Sequence, residues 1–122
     1  MRRPERMAET LREEISEIVG YELEDPRLAA VTVTDVRVSE DLRDANIYVV
    51  VEGDEEEKKA AMSALRGATS FVRRQVALNL NLHHAPHLHF ARDTVEENAA
   101  KIESILEEIS EDTDNTDNTK EL

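Results

Sequence analysis

The sequence predicts an α+β domain in which a three-stranded mixed sheet is covered by helices, in the order α-β-β-α-α-β-α. Three observations predict it. Apolar residues recur at helical spacing at the start, in the middle and near the end of the chain. Two alternating, β-branched stretches lie close together after the first helix. A third short alternation follows a long helical stretch, a crossover long enough for its strand to run parallel to its neighbour.

Pro4 opens the first helix, where its missing N–H goes unused. Met7, Leu11, Ile15 and Ile18 give that helix one apolar face. Gly20 lies near its end or is tolerated inside it. Asp25-Pro26-Arg27 closes the region, because proline disfavours helical geometry in the residue before it. Val31 to Val38 is the first strand, and its apolar phase slips between Val33 and Val36, which predicts a bulge or a change of buried face. Ala45 to Val51 is the second, with Ile47, Val49 and Val51 on one face and Tyr48 and Val50 on the other. The short polar link between them predicts an antiparallel hairpin.

Asp54, with Glu57 three residues later, caps the next helix, which carries Ala61, Met62 and Leu65 inward. Gly67 to Ser70 interrupts the pattern. A new helix is predicted from a Thr69 or Ser70 cap, with Phe71, Val72, Val76, Leu78 and Leu82 facing inward. Pro86 then forces an extended chain, and Leu88-His89-Phe90 is the third strand. Thr94 and Glu97 form a capping box for the last helix, whose buried stripe is Val95, Ala99, Ile102, Leu106 and Ile109. Residues 1–110 are thus one domain, and residues 111–122 form an acidic tail without apolar period, expected to be disordered.

The composition excludes whole classes of function. With 122 residues and no cysteine, the chain builds one modest core and no thiolate chemistry. The charged N-terminus leads into no apolar segment, and no run reaches the roughly 18–20 apolar residues of a membrane span, so a cytoplasmic protein is expected. Three glycines cannot build a phosphate-binding loop or a dinucleotide fingerprint, and no G-x-S-x-G or H-E-x-x-H occurs. The carboxylates fall on solvated helix faces. No enzyme, no cofactor and no small-molecule substrate is expected.

The formal net charge of -13 argues against nucleic acid on average, yet the average hides an island. From Ser63 to Arg92 there is no Asp or Glu, while the segment holds Arg66, Arg73, Arg74 and Arg92 with His83, His84, His87 and His89. Segregated charge of this kind turns one face toward phosphates. His87 and His89 share a strand face with His83 nearby, but no acid in the run completes a ligand set, so no metal is expected. Phe71 and Phe90 read as core, which leaves no aromatic platform for bases and points to recognition of backbone and shape.

Several stretches, in this order and at these intervals, resemble the ribosome-binding factor A family: Asp25-Pro26-Arg27, Val31-Thr32-Val33-Thr34-Asp35-Val36, Ser39-Glu40-Asp41-Leu42, Ala64-Leu65, Phe71-Val72-Arg73 and Pro86-His87-Leu88-His89-Phe90. The resemblance covers nearly the whole chain to Ser110. It implies a type II KH-like fold with an added C-terminal helix, and a factor that binds the free small (30S) ribosomal subunit and its 16S rRNA and assists late rRNA processing. The family carries an Ala-x-Gly kink between paired helices; here those positions are Ala68, Thr69 and Ser70, with serine in place of the glycine. His83-His84 stands where the family has a more basic pair.

The island and the kink coincide. Arg66, Arg73 and Arg74 are therefore expected on phosphates, with backbone N–H groups at Thr69 and Ser70 offering a helix N-terminus, and His83 and His84 beside them. The competing possibility is that these arginines pair with surface carboxylates. The chain is expected to be a monomer, and the competing function is an acidic protein-interaction adaptor that binds a basic partner without RNA.

Overall fold

The computed structural model describes residues 3–99, 102–103 and 105–107. Helix α1 (Arg3–Glu17) carries Leu11 and Ile15 into the core and runs into a π-helical turn, Ile18–Glu22, which accommodates Gly20. Asp25 then caps a short 3-10 turn, Pro26–Leu28, by accepting from the Arg27 amide at 2.9 Å. Strand β1 (Val31–Val38) pairs antiparallel with β2 (Asp44–Val51), and β2 pairs in parallel with β3 (His87–Arg92). The sheet order is β1-β2-β3. The mixed α+β architecture expected from the sequence is present.

The expected slip in β1 is a bulge. The register shifts between Val33 and Asp35, leaving Thr34 as the extra residue and returning Val36 to the buried face. One sheet face, with Val36, Ala45, Ile47, Val49, Val51, Leu88 and Phe90, meets Leu11, Ile15 and Ile18 of the N-terminal segment. Helix α2 (Glu55–Asn79) closes the same core, and its Asp54–Glu57 capping box forms in both directions.

Two expectations about α2 are corrected. The interrupted helix pair is a single helix of 25 residues. Ala61, Leu65, Ala68, Val72 and Val76 keep one helical phase straight through Gly67, so continuous packing on the sheet outweighs the roughly 1 kcal/mol that glycine costs. Leu78 and Phe71 are the second correction: they fall beside that stripe and are 68% and 37% exposed.

Helical residues 94–99, 102–103 and 105–107, together α3, follow β3. The cap is Asp93 rather than Thr94: its Oδ1 accepts from the Glu96 amide at 3.0 Å and its Oδ2 from the Thr34 hydroxyl at 2.6 Å. The buried stripe expected on α3 is also corrected. Val95, Ile102 and Leu106 are 76%, 57% and 57% exposed, because α1 and α2 already cover the apolar face of the sheet. Ile109 and the acidic tail at 111–122 lie outside the described residues. Among the described residues, no helix is long and apolar enough to cross a membrane.

Candidate nucleic-acid interface

The acid-free segment supplies one exposed face of α2. Ser63, Gly67, Ser70 and Arg74 recur at spacings of four, three and four, with Arg66 beside them, and all five are exposed. From Arg66 to Arg74 this face runs about 12 Å along the helix axis. A Cβ built on Gly67 would meet nothing, so this part of the face is open.

At its C-terminal end the face borders a shallow cleft of about 340 Å³, lined by Ser70, Arg73, Arg74, Ala77, His83 and His84 with Ala85 beneath. No carboxylate lines it. The fold makes this cleft by turning the chain sharply after α2. Asn81 takes a left-handed backbone (φ 54°), which asparagine tolerates, and Leu82 packs back on the core. His83 and His84 are left exposed beside Arg74.

The four arginines of the island divide by what they touch. Arg92 donates to Glu97 at 2.8 Å and to Glu55 at 3.1 Å, so its charge is neutralised inside the protein. Its hydrogen bonds to the carboxylate of Glu97 first, then to that of Glu55, push its pKa up. Arg73 donates from Nη2 to the Ala85 carbonyl at 2.7 Å and from Nε to the Pro86 carbonyl at 3.1 Å. It pins the loop that carries the histidines. Arg66 and Arg74 make no ion pair with any described residue. By contrast Arg27, Arg37 and Arg43 each lie within 4.0 Å of an aspartate.

The three residues of the expected kink behave differently from the expectation. Thr69 donates its hydroxyl to the Leu65 carbonyl at 2.9 Å, a bond back along the helix. Ala68 is half-buried against the core, and only Ser70 faces the cleft. No helix N-terminus exists there, so the Thr69 and Ser70 amides belong to the helical ladder and are not free donors.

His89 leaves the cleft altogether. Its Nε2 lies 2.9 Å from Asp44 Oδ1, an acid that the neighbouring strand supplies and the histidine run does not. Tyr21, 85% exposed on the π-turn, is the aromatic that sequence reasoning passed over. The signal was its position next to Gly20, where helical phase breaks down.

The family model for ribosome-binding factor A matches residues 3–106. The chain belongs to the ribosome-binding factor A family. A curated ribosome-binding factor A from Thermomicrobium roseum is 44% identical over 110 residues, covering 90% of this chain and 85% of that protein. The crystal structure of ribosome-binding factor A from Thermus thermophilus is similar with a TM-score of 0.65 and 29% identity, over 73% of this chain and 93% of that one. A Thermus thermophilus homology model of the same factor, fitted into the cryo-electron microscopy map of a 30S complex with it, matches at TM-score 0.60 and 31% identity, over 69% of this chain and 88% of that one. The KH-like fold of ribosome-binding factor A structures is the fold of this chain. At Ala68, Thr69 and Ser70, where the resemblance implied a kink, the helix runs on unbroken.

Proposed function

We propose that this chain is a cytoplasmic factor that binds the small ribosomal subunit through rRNA backbone and assists late maturation of that RNA. The observation that carries the reading is the pair of exposed arginines on α2, Arg66 and Arg74, which have no acidic partner among the described residues, beside a cleft that no carboxylate lines. On a protein of net charge -13, guanidinium groups without an acidic partner, beside a cleft that no carboxylate lines, form a local well for phosphates, while the remaining surface repels them. That combination favours one docking orientation.

In this reading Arg66 and Arg74 take phosphates, Ser70 lets the backbone come close, and His83 and His84 add donors at the cleft rim. Arg73 positions that rim and leaves the phosphates to its neighbours. Membership of the family and the 30S complex of the Thermus thermophilus homologue support the choice of particle.

The test is co-sedimentation with free small subunits, large subunits and assembled ribosomes across a salt series, for the native chain and the double variant Arg66→Glu, Arg74→Glu. Binding to small subunits alone is expected, with a log–log salt slope that drops by about two in the variant, about one for each phosphate no longer neutralised. Unchanged binding by the variant would move the interface off α2. Absence of binding to any particle at low salt would overturn the function.

A further inference from the structure

We infer that α3 is a docking arm for a basic, amphipathic protein helix, a second surface apart from the RNA-binding face. Val95, Ala99, Ile102 and Leu106 recur at spacings of four, three and four and share one stripe. Val95, Ile102, Ile105 and Leu106 are exposed, four of the seven large hydrophobic side chains exposed among the described residues. Scattered exposed hydrophobics need no explanation, whereas a contiguous stripe marks an interaction site.

The helix is held where it can be reached. Asp93 ties its first turn to Thr34 in the β1 bulge, and Arg92 bridges Glu97 of α3 to Glu55 at the start of α2. These contacts fix the root of α3 at the edge of the fold, and its stripe packs on neither the sheet nor the other helices.

Charge selects the occupant. At helical spacing Glu96, Glu97, Glu103 and Glu107 fall on the opposite side and flanks of the stripe, and Lys101 is the only base between Asp93 and Asp112. Nucleic acid and an anionic membrane are repelled. A second copy of α3 would set carboxylate against carboxylate. On the open face of this chain's own sheet Arg37 already faces Asp35 at 3.2 Å and His89 faces Asp44 at 2.9 Å, so that face offers the carboxylates of α3 no unpaired arginine or lysine. A helix with an apolar face flanked by Lys or Arg satisfies both halves of the surface.

The probe is a synthetic leucine–lysine amphipathic helix, titrated against the full chain without RNA and followed by NMR. A scrambled peptide of the same composition is the control, and Ile102→Ser, Leu106→Ser the test variant. Both positions are exposed, so the variant folds; circular dichroism verifies this. Saturable binding of the amphipathic peptide is expected, at least about tenfold weaker for the scrambled peptide and for the variant. Equal binding of both peptides, or a variant that binds as the native chain does, overturns the inference. So does sedimentation showing that the native chain dimerises through α3 and the variant does not. Small-subunit binding stays unaffected by either outcome, because Arg66 and Arg74 are untouched.

Discussion

The guanidinium of Arg73 holds the carbonyl of Ala85, with Nη2 donating at 2.7 Å and Nε at 3.2 Å. A neighbour one residue on, Arg74, stays exposed and makes no ion pair with a described residue. Of two adjacent arginines, one is thus committed to holding the loop and the other is left exposed.

Arg73→Ala leaves the Ala85 and Pro86 carbonyls without their donor and loosens the loop of His83 and His84. A loss of about 1–3 kcal/mol is expected in chemical denaturation. Arg74→Ala should change stability by less than about 0.5 kcal/mol while weakening small-subunit binding. Equal stability of the two variants would refute this division.

Ser70 lies inside α2, and its role is read from the sign of one substitution. Alanine is the better helix former, so Ser70→Ala should stabilise by about 0.5 kcal/mol. Had Ser70 capped a second helix, the same change would cost about 1 kcal/mol. Urea denaturation midpoints decide between the two signs.

The hydroxyl of Thr34, followed by the Glu96 amide, holds the Asp93 carboxyl below the usual aspartate range. A depressed folded-state pKa contributes stability above the unfolded value of about 3.9, and that contribution is lost as pH falls through the lower folded value. Thr34→Val should therefore cost about 1 kcal/mol near pH 6, a gap that narrows toward pH 2. Denaturation series at several pH values measure it, and a gap constant with pH would sink the assignment.

Leu65 and Leu78 sit on one helix with opposite fates, fully buried and 68% exposed. Leu65→Ala should cost about 2–5 kcal/mol through the cavity it opens. Leu78→Ala should stay within about 0.5 kcal/mol, since nothing packs over it. Thermal unfolding of the pair checks the phase of α2.

What the sequence determined by itself is local. Alternation set the strands, Pro26 kept Asp25 extended and opened the short 3-10 turn, and Asp54 with Glu57 set the start of α2. The phase slip between Val33 and Val36 predicted a bulge or a change of buried face, and a bulge is what forms. The continuity of α2 was also legible, since Ala61, Leu65, Ala68, Val72 and Val76 stay in phase, although Gly67 masks it as a helix breaker. Each of these rests on interactions within a turn or two, or on the side-chain period of one element. The tertiary structure alone decided which arginines are free. Arg92 meets Glu55, 37 residues away, and Arg73 meets a loop 12 and 13 residues on, whereas the same residue type at Arg66 and Arg74 meets no acid among the described residues. It also decided that the stripe on α3 stays uncovered, because α1 and α2 had already taken the apolar face of the sheet. A long charged side chain or an amphipathic helix carries its own preference in the sequence, but its partner is set by the distant segment that folding brings within reach.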